Sequence, residues 1–196
     1  TSRGLGDVYK RQGTEYLWQG NPEFWSGQAP VLFPIVGCLR NGTATIGDNK
    51  TCSFGRHGLA RRLEFDLVSS SDTSVTYSLK ANDKTKEQYP YDFELQMTYE
   101  LTEHGVKVSH TVINHDSVVM PYCVGGHPAF NCPVFENESF EDYIVEFEQP
   151  ENAACAQLTE DGLINNADRV SVLENEAVIP VRHSLFYNCL LYTSDA

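Results

Sequence analysis

Between residues 63 and 114 the chain alternates apolar and polar positions with a period of two. Leu63, Phe65 and Leu67 are separated by Glu64 and Asp66, and Val75, Tyr77 and Leu79 by Thr76 and Ser78. Phe93, Leu95, Met97, Tyr99 and Leu101 share one face, with Glu94, Gln96, Thr98 and Glu100 on the other. After Glu103-His104-Gly105 the same period resumes at Val106, Val108, His110 and Val112. Successive side chains of an extended chain point to opposite faces, so this period marks half-buried antiparallel strands. Residues 93–114 are predicted to form a long hairpin. A second hairpin is predicted where Thr43–Ile46 and residues 51–54 flank Gly47-Asp48-Asn49.

The rest of the chain reads in the same way. Residues 15–19 suit a short strand ended by Gly20-Asn21-Pro22. The apolar run 29–36 is broken by Pro34 and is too short for a helix. Residues 83–89 suit one helical turn, and Tyr143, Val145 and Phe147 begin a further strand. The prediction is one all-β domain of two packed sheets. Residues 1–12 (TSRGLGDVYKRQ) and 189–196 (CLLYTSDA) fit neither period and are read as a non-native leader and tail, leaving 13–188 as a partial domain.

Composition narrows the partners. With 41% hydrophobic and 11% aromatic residues the chain has the means to fold. A net charge of -13 argues against nucleic acid, whose phosphates need clustered lysine and arginine, and against anionic membranes. A neutral small molecule fits better. No apolar run approaches the ~20 residues of a membrane span. The six cysteines form no CxxC pair, which suits reduced thiols in a cytoplasmic protein.

Candidate chemistry concentrates at Val124–Pro133, VGGHPAFNCP. Gly125 and Gly126 permit a sharp bend or a close approach of backbone to ligand. Pro128 restricts His127 to extended geometry, so this histidine is expected at a defined angle at a strand end. A histidine is a residue type suited to general-acid work. Phe130 offers an apolar face and Asn131 an amide fork, a set that suits a sugar. The second candidate is FGRHG (54–58), where glycines flank Arg56 and His57. Arg56 brings fixed donors for hydroxyls, although two solvated side chains on a surface turn would look the same in sequence. His110, which points with valines, is expected to be a hydrogen-bonded core histidine. HExxH and HxH are absent, so no metal or other cofactor is expected. GxSxG and phosphate-binding glycine loops are absent too.

Four motifs occur here in an order and spacing that resemble a known family: APVLFPIVG (29–37), RHGLAR (56–61), YPYDFEL (89–95) and GGHPAFN (125–131). They are similar to the aldose 1-epimerase (galactose mutarotase) family, in its bacterial LacX-like branch, over residues 13–188. The resemblance implies a galactose-mutarotase-like β-sandwich (supersandwich), here incomplete. It implies metal-free interconversion of the α and β anomers of a hexose such as glucose or galactose, by acid–base ring opening. By the same resemblance His127 matches the general acid and His57 a histidine that contacts the sugar, with Asn131 and Phe130 shaping the cleft. Three departures accompany it. Cys38 stands where the branch usually carries a substrate-contacting arginine, with Arg40 two positions on. The aspartate that usually follows LF-x-N has no equivalent after Asn188. The family's glutamate base lies further toward the C-terminus than this chain extends. The expectation is therefore an isomerase fold whose chain, as given, is inactive or nearly so. The alternative is a non-catalytic carbohydrate-binding protein of the same fold, and a phosphorylated-sugar epimerase is a lesser one.

Overall fold

The computed structural model describes residues 10–11, 13–47, 49–103 and 105–187. The leader and tail set aside above lie outside these, apart from residues 10 and 11, and so does His104. In chain order the strands are β1 (Lys10–Arg11), β2 (Thr14–Glu15), β3 (Val31–Leu32), β4 (Thr43–Ile46), β5 (Lys50–Ser53), β6 (Asp66–Ser70) and β7 (Ser74–Lys80). Helix α1 (Asp83–Gln88) follows, then β8 (Phe93–Leu101), β9 (Val106–Asn114), β10 (Gly125–Gly126), β11 (Ile144–Leu158), β12 (Ile164–Pro180) and α2 (Ser184–Tyr187). Strand dominates, as the period of two predicts. The described chain packs as two compact units, one built on Ala29–Pro128 and the other on Arg11–Gln28 with residues 129–187.

The first unit holds the antiparallel sheet β6-β7-β8-β9. Its β8–β9 ladder runs without a break from Phe93↔Asn114 to Leu101↔Val106, which is the predicted hairpin. β4 and β5 form the other predicted hairpin, from Thr43↔Ser53 to Ile46↔Lys50. Phe93, Leu95 and Met97 fill the core with Leu79, Phe33, Cys52, Phe54, Tyr89 and Tyr91. Two findings depart from the alternation. Leu67 is 59% exposed because β6 is the sheet's edge strand and its pairing with β7 slips between Leu67 and Ser69. Glu94, expected on a solvent face, is only 8% exposed. Ser78 Oγ and Gln96 Nε2 each donate to its Oε1 at 2.8 Å, and His115 Nε2 lies 3.1 Å from its Oε2. The bonds from Gln96, Ser78 and His115 hold this carboxyl at about 2, below its ordinary 4.5.

Helix α1 is short and built on its cap. Asn82 Oδ1 accepts from the amides of Lys84 and Thr85 at 3.0 and 3.1 Å, and Thr85 Oγ1 accepts from the Asn82 amide at 2.8 Å. Pro90 follows and stops it. The chain then delivers Tyr89, Tyr91 and Phe93 to the core, with Phe33 and Phe93 centroids 5.1 Å apart and Tyr89 and Tyr91 4.9 Å apart. Tyr89 Oη donates to the Pro121 carbonyl at 2.8 Å. YPYDFEL is thus a packing motif beneath the loops described below.

In the second unit β11 and β12 form a long hairpin from Ile144↔Pro180 to Leu158↔Ile164. The sequence reading reached only its first residues. The ladder slips at four places, and Pro150, which has no N–H to give, falls in one of them, between Glu146 and Glu151. Each slip moves side chains to the opposite face, so no regular alternation survives in the sequence. The 15–19 strand is shorter than predicted: β2 ends at Glu15, and beyond it Leu17 makes a single bridge to Phe130.

Candidate functional site

His127 sits where the GGHP motif suggested, at the end of a strand. β10 pairs with β3 as Gly125↔Leu32 and Gly126↔Val31, and the His127 amide extends the ladder by donating to the Pro30 carbonyl at 3.2 Å. The glycine pair does not form a bend, since neither residue is among those with positive φ. Gly125 serves packing instead: a Cβ there would lie 3.3 Å from Val36 Cγ2 and 3.7 Å from Leu32 Cδ1.

The FGRHG loop brings His57 to the same region of the first unit. Its turn is closed by the Gly58 amide donating to the Gly55 carbonyl at 3.1 Å. His57 has φ 63°, a left-handed conformation unusual for a residue with a Cβ, and is only 4% exposed. The solvated surface turn is therefore not what forms. Two bonds to Gly37 hold it: the His57 amide donates to the Gly37 carbonyl at 2.8 Å, and the Gly37 amide donates to His57 Nδ1 at 3.0 Å. An Nδ1 that accepts bears no proton, so a neutral His57 carries its proton on Nε2 and acts there as a donor. The His57 and His127 rings lie edge to face, with centroids 5.8 Å apart and planes at 74°. Beside them, Arg56 Nε donates to Cys38 Sγ at 3.2 Å.

Phe130 and Asn131 belong to the second unit. Phe130 is 66% exposed. The Asn131 amide is engaged in the fold: its Nδ2 donates to the carbonyls of Glu15 and Leu17 at 3.0 and 3.1 Å, and its backbone N–H to Tyr16 at 2.8 Å. Oδ1 is the atom it has to offer a ligand.

Three features escaped sequence reasoning. The Gly37 contact to His57 and the Cys38 contact to Arg56 join residues about 20 positions apart, and no local pattern announces such pairs. His110 stands on β9 opposite Met97, on the core side as expected, but its Nε2 is buried with no hydrogen-bond partner. Its Cε1 lies 3.9 Å from where a Cβ on Gly126 would be, and burial lowers its pKa below 6.5. The five described cysteines are all free thiols. Among the described residues no group of three or more His, Cys, Asp or Glu side chains is placed to hold a metal ion, and no helix is long and apolar enough to cross a membrane.

Comparison with solved structures defines the class. A galactose mutarotase related enzyme from Lactobacillus acidophilus superposes with a TM-score of 0.82 at 32% identity, over 90% of this chain and 58% of that one. A galactose mutarotase-like protein from Lactobacillus casei gives a TM-score of 0.76 at 34% identity, over 88% of this chain and 59% of that one. The fold is the all-β, galactose-mutarotase-like one that the motifs implied. At the level of sequence, the family model described as Aldose 1-epimerase matches residues 7–177. The plasmid and chromosomal LacX proteins of Lactococcus lactis subsp. lactis are each 40% identical over 188 residues, covering 93% of this chain. The chain belongs to the aldose 1-epimerase family. It spans 63% of the length of these curated relatives.

Proposed function

We propose that this chain carries the acid half of an aldose 1-epimerase site and binds a neutral hexose such as glucose or galactose. The observation that supports this reading is the His57–His127 pair, two imidazoles 5.8 Å apart on separate loops, one of them with its tautomer fixed by a backbone amide. In the proposed reaction His127, as imidazolium, gives a proton to the ring oxygen while a base removes the proton of the anomeric hydroxyl. The bond from C1 to the ring oxygen breaks, and C1 becomes an aldehyde carbonyl. Rotation about C1–C2 presents the other face, and reversal of both proton transfers closes the opposite anomer. His57 Nε2–H and the Arg56 guanidinium donate to sugar oxygens and orient the ring.

The base is not assigned to any residue of this chain. General acid–base proton transfer typically contributes on the order of 10²–10⁴-fold in rate, and the proposal assigns the acid's share of it to His127. The test is anomer exchange of glucose and galactose by NMR, with the chain and with His127→Ala. Exchange or line broadening that the substitution abolishes supports the reading, and sugar resonances indifferent to the folded protein refute it. A second reading, a non-catalytic sugar binder of the same fold, is favoured by Cys38, whose thiol engages Arg56 where the branch usually has an arginine. Broadening without exchange, even after a full-length relative's C-terminal segment is joined on, would select it.

A further inference from the structure

The turn Gly37-Cys38 meets the loop Arg56-His57 through three hydrogen bonds. Two are backbone-anchored: His57 N–H to the Gly37 carbonyl at 2.8 Å and Gly37 N–H to His57 Nδ1 at 3.0 Å. The third is between side chains, Arg56 Nε–H to Cys38 Sγ at 3.2 Å. Cys38 and Arg56 are both half-buried, whereas His57 is buried. The chain thus sets two proposed sugar contacts from one dipeptide. The Gly37 amide leaves the imidazole proton to Nε2, and the Cys38 thiol accepts from the guanidinium Nε–H.

We propose that Cys38 is a positioning residue for sugar recognition, acting through Arg56. The guanidinium is planar, so fixing Nε against a sulfur acceptor fixes the direction of the whole donor fork. Removing that acceptor takes one fixed contact from the guanidinium, and part of each sugar hydrogen bond is then given up to ordering entropy. The thiol touches the guanidinium, and its role differs from that of an arginine at this position. An arginine would add a second cation beside Arg56, whereas the thiol adds an acceptor that orients the cation already present. This inference rests on the reading of Arg56 and His57 as sugar contacts.

The test compares Cys38→Ala, which removes the acceptor, with Cys38→Ser, which keeps one, in the full chain. Two readouts are followed: galactose and glucose titrations by NMR, and solvent exchange of the Arg56 Nε–H in the free protein. Loss of one weak hydrogen bond's worth of orientation corresponds to about a fivefold weaker Kd in Cys38→Ala, with Cys38→Ser close to wild type. The Arg56 Nε–H should exchange faster in Cys38→Ala and at the wild-type rate in Cys38→Ser. Equal affinity and equal exchange in wild type and Cys38→Ala would overturn the proposal. Unequal affinity with no rescue by serine would overturn it as well, since that pattern reports packing and not an acceptor. If no variant and no wild-type sample binds sugar, the proposed function fails, and so does a positioning role in recognition. The exchange data would then report only whether the contact itself exists.

Discussion

Gly58 is where the backbone of the candidate site has least room. Its φ is +76°, and a Cβ there would collide with the Phe33 carbonyl oxygen, lie 2.6 Å from the Phe33 carbonyl carbon and 2.8 Å from Pro34 N. All three are backbone atoms, so no side-chain rotation relieves the contact. That same Phe33 carbonyl accepts the Leu59 amide at 2.9 Å and the Ala60 amide at 3.2 Å. Gly58→Ala therefore combines left-handed strain of about 1 kcal/mol with loss of two backbone hydrogen bonds at about 1 kcal/mol each. The expected destabilisation is about 3 kcal/mol. With a urea slope of about 2 kcal/mol/M it moves the unfolding midpoint down by about 1.5 M. Two neighbouring glycines provide an internal scale. Gly37 has φ +85° but open space around its missing Cβ, so Gly37→Ala should show the strain alone, about 1 kcal/mol. Gly55 has neither a positive φ nor a neighbour within 4 Å, so Gly55→Ala should fall within about 0.5 kcal/mol of wild type. Urea denaturation followed by tryptophan fluorescence and circular dichroism measures all three. A Gly58→Ala midpoint no lower than that of Gly37→Ala would refute the backbone-clash argument.

Two further substitutions test the buried titratable groups. Glu94 has its folded pKa depressed to about 2 from 4.5, so its stabilising contribution is complete above pH 4.5 and is lost as the pH falls from 4.5 toward 2. Glu94→Gln should cost about 2 kcal/mol at pH 7 and flatten the stability profile in that window, as read by urea midpoints between pH 7 and pH 2. His110 also has a depressed pKa, so the unfolded chain takes up the proton first and stability falls as the pH drops below 6.5. His110→Leu removes the unpartnered Nε2 as well as that charge. It should raise stability by about 1 kcal/mol at pH 7 and abolish the slope below pH 6.5, as thermal unfolding at pH 5.5 and 7.5 would reveal.

Where local chemistry and tertiary packing agree, the fold was legible in the sequence. The β8–β9 hairpin follows the period of two from Phe93 to Val112, with Ile113 opposite Glu94 as the exception, and keeps one register throughout, so its 93–114 span was visible in the sequence. The helical turn expected over 83–89 is present as helix α1, and the Asn82 cap that holds it is a local contact seen in the structure. The β11–β12 hairpin was not legible, because its slips reverse the side-chain faces and erase the period on which the reading depends. Glu94 was misjudged because its partners Ser78 and His115 are brought to it by strand pairing and the chain beyond β9. At the candidate site the motifs picked out His127 and His57, and glycine and proline placement correctly put His127 at a strand end. The contacts that fix their geometry, Gly37 to His57 and Cys38 to Arg56, depend on a loop-to-loop approach that no spacing rule encodes.

The central claim is that a sugar engages the His57–His127 pair and that His127 moves a proton on it. Anomer exchange of galactose and glucose, followed by NMR at several protein concentrations with the wild-type chain and His127→Ala, addresses both parts in one experiment. The account predicts broadened sugar resonances with wild type, slow exchange above the buffer rate that scales with protein concentration, and neither effect with a folded His127→Ala. Exchange or broadening that persists unchanged in His127→Ala would contradict it.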